Sequence, residues 1–199
     1  MSPQELIEQT ISEHTVVVEL FKEQCSETIA EMAAATIACL NAGGKICFCG
    51  NGGSAADSQH FATEFTVRFV QNRKGLAAIA LTTDTSTLTA CANDFGFDSV
   101  FARQVEALCQ PGDIVVGIST SGTSSNIVRA LEFARSEGIT TFAFTGENPG
   151  TCGDHADKVL AVPSPITARV QECHLIAGHL ICDLAERAFA DTTSSISGN

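Results

Sequence analysis

The sequence predicts a three-layer α/β domain: a five-stranded parallel sheet with helices on both faces, preceded by a helical N-terminal arm. Two observations carry this. Five short apolar runs alternate with segments whose apolar residues recur at helical spacing, the pattern of a parallel sheet covered on both sides. The chain's 199 residues also suffice for one sizeable core and are few for two, and no internal repeat or linker is visible. One domain is therefore expected over residues 1–190, arm included, with residues 191–199 as a disordered tail.

Residues 3–22 and 25–42 read as two helices, closed by Gly43-Gly44, a natural helix stop. Their apolar stripes (Leu6, Ile7, Val16, Val17, Leu20, Phe21) precede a sheet already flanked by its own helices, so they are expected to pack on the same helices of other subunits. "KICFCG" (45–50) reads as a buried strand and Ser54 to about Phe69 as a helix. "LAAIALT" (76–82) is the second strand, followed by helices over Thr85–Cys91 and Val100–Cys109. Pro111-Gly112-Asp113 turns the chain into "IVVGIST" (114–120), the third strand. "SSNIVRALEFARSEG" (124–138) is an amphipathic helix closed by Gly138. "TTFAFTG" (140–146) and "KVLAVPS" (158–164) are the last two strands, and residues 167–190 form a long final helix.

Composition narrows the function classes. A hydrophobic content of 44% and a charged content of 17% describe a soluble globular protein. The net charge of −12 argues against non-specific nucleic-acid binding, which works by neutralising phosphates. A phosphorylated metabolite remains open, because a local glycine loop can hold one inside an acidic protein. No run approaches the roughly 18 apolar residues of a membrane span. The polar, acidic start "MSPQELIEQT" is no signal peptide. Nine scattered cysteines without a C-x-x-C pair suit free thiols in a reducing cytoplasm.

Four segments carry chemistry. In "GNGGSA" (50–55) a strand passes through glycines into a helix, so backbone N–H groups and the helix N-terminus can face an anionic or polar ligand. The same residues satisfy G-x-G-x-x-G/A, and Asp84 after the second strand could serve a dinucleotide's ribose. "STSGTSS" (119–125) weighs against that reading, since a nicotinamide enzyme needs no second anion loop. Its hydroxyls and amides suit a phosphate, whereas capping the next helix requires only one of them. His60 and Glu64, four residues apart, share a helix face and can reach one metal ion or one substrate. On the last helix, "ARVQECHLIAGHL" places Gln171, His174 and His179 on an apolar background. His174 and His179 diverge by about 140°, so one of them packs or faces solvent.

Together, "CGNGGSAADSQHFATEF", "ANDFGFDSVF", "GISTSGTSSNI" and "ARVQECHLIAGHLICDL" resemble, in order and spacing, the sugar isomerase (SIS) domain and within it the phosphoheptose isomerases. The likeness runs over about residues 3–188. Thr123 stands where that family often shows Asn. The resemblance implies conversion of sedoheptulose 7-phosphate to a glycero-manno-heptose 7-phosphate for bacterial surface polysaccharide. It also implies a homotetramer of single SIS domains with active sites at subunit interfaces, while charge and hydropathy leave neither a nucleic-acid nor a membrane partner expected and the cysteines a cytoplasmic setting.

Carried over residue by residue, Asn51, Gly52 and Gly53 would contact the sugar, as would Asn93 and Asp94 from the loop after the second strand. Ser119, Thr120, Ser121 and Ser124 would hold the phosphate. His60, Glu64, Gln171 and His179 would surround one zinc ion per subunit, with Glu64 and Gln171 also touching substrate. Glu64 and His179 would be the acid–base pair, and the chemistry independently asks for such types: aldose–ketose isomerisation moves a proton between C1 and C2, so one group takes it while another serves the oxygens. Gln171 and His179 lie about 12 Å apart along a helix, so both meet one ion only if the helix begins irregularly or if they serve sites of different subunits. Some relatives are non-enzymatic, binding the replication initiator or sensing a sugar phosphate. The former have lost the catalytic carboxylate and histidine, both of which are present here.

Overall fold

A computed structural model of the chain describes residues 1–190; the expected tail lies outside the described residues. Helix α1 spans Pro3–Asn41, followed by β1 (Ile46–Gly50), α2 (Gly53–Thr66), β2 (Ala78–Ala80), α3 (Thr85–Phe95) and α4 (Ala102–Leu108). Then come β3 (Ile114–Ser119), α5 (Ser125–Ser136), β4 (Thr140–Thr145), α6 (Gly150–Asp154), β5 (Lys158–Ala161) and α7 (Thr167–Phe189).

The five strands pair in parallel in the order β2-β1-β3-β4-β5, with Phe48 opposite Val116 and Val116 opposite Phe142. Successive strand residues serve opposite faces. Ile46 and Phe48 join Phe61, Phe65, Val170 and Ile181 in the core under α1, α2 and α7. Cys47 and Cys49 join Val105, Ile127 and Leu131 under α3 to α6. Both cysteines are free and fully buried, packing as small hydrophobes. Parallel strands covered on both sides are buried and largely apolar along their length, which is why β1, β3 and β4 read so clearly in the sequence.

The two N-terminal helices expected at 3–22 and 25–42 are one helix of 39 residues. Nothing in "FKEQC" breaks it, since no glycine or proline interrupts the ladder. Its start is fixed by a capping box between Ser2 and Glu5, with Pro3 in the first turn. The C-terminal half buries Phe21, Cys25, Ile29, Met32, Thr36 and Cys39, a stripe at helical spacing against the sheet and α7. Phe21 therefore belongs to the chain's own core rather than to an intersubunit stripe. Leu6, Ile7, Val16 and Leu20 stay exposed. A short helix not expected from the sequence, α6, lies between β4 and β5. No helix of the described residues is long and apolar enough to cross a membrane.

Candidate active site

In this strand order the connections leaving β1 and β3 diverge to opposite faces, which opens a crevice at their carboxyl ends. Both loops singled out in the sequence flank it. After β1 the chain turns at Gly52, whose φ of +57° and ψ of −120° exclude a side chain at low cost. After β3, Ser119 Oγ donates to Ser124 Oγ at 3.0 Å, and Thr123 Oγ1 donates to Ser121 Oγ at 3.2 Å. Ser124 is the N-cap of α5, yet its hydroxyl makes no capping bond. The hydroxyl cluster thus gathers on itself and leaves the first amides of α5 uncapped, an arrangement that suits an anion better than a cap. The two loops are tied by a reciprocal pair of amide bonds, Asn51 with Asn126, each 2.9 Å.

Asp84, the would-be ribose acid, is already engaged. It caps α3, accepting from Thr87 N at 3.0 Å and Thr87 Oγ1 at 2.8 Å. Asn93 and Asp94 lie in the last turns of α3 rather than in a loop, because the helix runs on to Phe95 and stops at Gly96. Both are exposed and bonded to each other, Asn93 Nδ2 to Asp94 Oδ1 at 2.8 Å. The turn that follows them reaches the start of α5, where Ser125 Oγ donates to Asp98 at 2.6 Å.

Helices α2 and α7 lie side by side and touch where α7 has Gly178. The Phe61 ring occupies the space a Cβ there would need. The contact aligns the two helices in step. At the upper level the Gln171 side chain lies over Gly53, in the space of an absent Cβ. About two turns lower, roughly 10 Å along the helices, His60 meets His179. Their Nε2 atoms are 2.7 Å apart, one donating to the other. Glu64 Oε1 stands 3.6 Å from His60 Nδ1, so the carboxylate and His179 face opposite nitrogens of one imidazole. The structure thus brings His60, Glu64 and His179 together and places Gln171 apart, at the glycine turn. Helix α7 is regular from Thr167, so no irregular start shortens the span from Gln171 to His179.

Of the two α7 histidines, His174 is the packed one. It is fully buried, with Nε2 3.0 Å from the Thr145 carbonyl oxygen and its ring tilted against Phe144. Burial pushes it down to about 4, so it is neutral near pH 7. Two site residues escaped the sequence reading. Asn126 sits in the first turn of α5, where the preceding hydroxyl run drew the attention. Asp57, one turn before His60, is buried beside Gln171 with Oδ2 unpartnered. Burial raises its carboxyl above the ordinary value, against the opposing effects of the Gln171 amide and His60.

Zinc takes imidazole and carboxylate donors, and those types converge here. Two nitrogens on one tetrahedral zinc stand roughly 3.3 Å apart, given bonds of about 2.0–2.1 Å. The His60–His179 pair is therefore in hydrogen-bonding rather than coordinating geometry. No group of three or more His, Cys, Asp or Glu side chains among the described residues encloses a metal position as placed.

A crevice at the strand ends, flanked by a glycine turn and a hydroxyl-rich loop and adjoined by a carboxylate and two imidazoles on the neighbouring helices, accords with the SIS domain family, to which the chain belongs; the family's model matches residues 11–146. Among its relatives are phosphoheptose isomerases. That of Paramagnetospirillum magneticum is 49% identical over 184 residues, covering 92% of this chain and 96% of the relative. That of Roseiflexus sp. is 53% identical over 170 residues, covering 83% and 86%. The structure of phosphoheptose isomerase GmhA from Neisseria gonorrhoeae superposes with a TM-score of 0.88 at 42% identity, covering 94% of this chain and all of that one.

The helix contact generates a prediction. Gly178→Ala forces a methyl group against Phe61, spreads α2 from α7, and should cost roughly 1–3 kcal/mol of stability together with much of the activity. Chemical denaturation checks it; an unchanged midpoint would show that the helices have room for the methyl group.

Proposed function

We propose that the chain is an aldose–ketose isomerase. It converts sedoheptulose 7-phosphate to D-glycero-D-manno-heptose 7-phosphate, a precursor for the heptose of lipopolysaccharide. The observation that carries this is the meeting of Glu64, His60 and His179 between α2 and α7, below two anion loops. Close identity to phosphoheptose isomerases over most of the chain supports it.

Ser119, Thr120, Ser121 and Ser124 hold the phosphate with the α5 amides, while Asn51, Gly52, Gly53 and Gln171 position the sugar. Glu64 takes a proton from C1 of the ketose and returns it to C2. His179 gives a proton to O2 and recovers one from O1, so the enediol forms and collapses without net proton change. His60, bonded to His179 and facing Glu64, fixes which His179 nitrogen carries the proton. Zinc held by His60, Glu64 and His179 in place of the His60–His179 hydrogen bond, with Gln171 from a neighbouring chain, would supply Lewis-acid stabilisation of the enediolate charge.

A homotetramer fits the exposed apolar face of α1, where Leu6, Ile7, Ile11 and Val16 are each more than half exposed. The exposed Asn93 and Asp94 suit sugar contacts in a site shared between subunits. Nine free thiols support a cytoplasmic setting.

Four measurements test these assignments. NMR of the purified protein with sedoheptulose 7-phosphate should show the aldose phosphate forming, and Glu64→Gln should nearly abolish it with the fold intact. Ser119→Ala combined with Ser121→Ala should raise KM far more than it lowers kcat, because phosphate contacts are shared by ground and transition states. Wild-type rates in Glu64→Gln would refute the isomerase assignment. Calorimetry should find one zinc per subunit, lost in His60→Ala with His179→Ala; retention would remove these ligands. Sedimentation of Leu6→Glu with Val16→Glu should show dissociation, and an intact tetramer would move the interface elsewhere.

A further inference from the structure

Below the His60–His179 contact, α2 ends at Thr66 and residues 67–77 lead to β2. A single buried carboxylate organises the first part of this segment. Glu186, fully buried on α7, accepts from Phe69 N at 2.8 Å, Val70 N at 2.6 Å and Gln71 N at 2.7 Å. Its Oε1 also stands 3.3 Å from Nε of Arg73, whose side chain is 1% exposed. Burial alone would raise the Glu186 carboxyl, but the three amides and the guanidinium outweigh it and hold it below the ordinary carboxylate value.

Two of the carboxylate's four partners, Arg73 and Phe69, lead into the site. Arg73 Nη2 donates to the carbonyl oxygen of Glu64 at 2.7 Å, and Nη1 to that of Phe65 at 2.8 Å. The guanidinium therefore pins the last turn of α2 at the residue carrying the base. Phe69, the first residue bonded to Glu186, lays its ring against His179, centroids 5.4 Å apart and planes inclined by 33°. Glu186 follows His179 by two helical turns on the same face of α7, about 10 Å away. It reaches neither the crevice nor the acid–base groups directly.

We infer that Glu186 is a positioning residue for the isomerisation, fixing Glu64 through Arg73 and the His179 ring through Phe69. The inference rests on the assignment of Glu64 and His179 as the acid–base pair. A carboxylate that closes a surface loop and does nothing more would not need its loop to supply both a wall for one of these groups and an anchor for the other.

The test uses Glu186→Gln, which keeps size but removes the charge and one acceptor, and Phe69→Leu, which removes the ring and leaves the clamp. Both are assayed with sedoheptulose 7-phosphate well below their melting temperatures, with rates normalised to folded protein. Misplacement of acid–base groups by fractions of an ångström predicts a fall in kcat of roughly tenfold or more for Glu186→Gln. KM should change little, since the phosphate loop lies at the far end of the crevice. The ring proton resonance of His179 should move in both variants as Phe69 shifts or disappears. A normal kcat per folded molecule in both variants, or a loss confined to KM, would overturn the inference. If Glu186→Gln does not fold, Phe69→Leu decides by the same two readouts. If the wild type does not turn over this sugar, the functional assignment fails, while an unmoved His179 resonance in the variants still refutes the positioning.

Discussion

The close approach of α2 and α7 at Gly178 is the contact on which the site depends. Both helices run away from the carboxyl ends of the strands, so residues on one pair with residues on the other at matching depths. Gly53 faces Gln171, His60 faces His179, and the segment after α2 faces Glu186. The spacings of seven and eight residues on the two helices differ by only about 1.5 Å of rise, which keeps the levels in register. A larger residue at position 178 would separate all three levels together, because each is a direct contact across the same pair of helices.

How much of this is legible in the sequence follows from which interactions are local. Strands β1, β3 and β4 are buried on both faces and stand out as runs with no charged residue, apolar but for the threonines of β4 and Ser119. At the sheet edge "LAAIALT" yields only the three residues of β2, since Ile79 is partly exposed and pairing exists on one side alone. The glycine turn and the hydroxyl loop are legible because their backbone needs are met by their own residues. In α1 the apolar pattern changes partners near Phe21, from open surface to core, and a change of partner resembles a helix break when only the pattern is seen. Short α6, with glycines at both 150 and 153, has no helical signature at all.

The cluster of His60, Glu64 and His179 was legible in type but not in arrangement. His60 and Glu64 are one turn apart and could be paired by inspection. His179 joins them only through the crossing at Gly178, and helical spacing alone could not choose between it and His174; the motif resemblance points to His179. Their fates follow from helical phase: His174 faces the sheet beneath β4, while His179 faces α2. Gln171 belongs with the glycine turn because α7 is regular throughout, so its separation from His179 is a property of the helix. Glu186, one of many acidic residues in a chain of net charge −12, carries no local mark of its role.

The unfulfilled N-cap of α5 ties ligand binding to the integrity of the fold. A serine at that position ordinarily closes the first turn, and losing such a cap costs typically about 1 kcal/mol. Here Ser124 lends its hydroxyl group to the cluster instead. The free protein therefore carries a helix end left open next to β3 in the middle of the sheet, and a bound phosphate would complete it. With the phosphate held as proposed, a phosphorylated sugar would supply that cap as it enters, whereas an unphosphorylated sugar of the same length would not. On that assignment, part of the preference for a phosphorylated sugar would come from closing a helix end rather than from contacts to the phosphate alone.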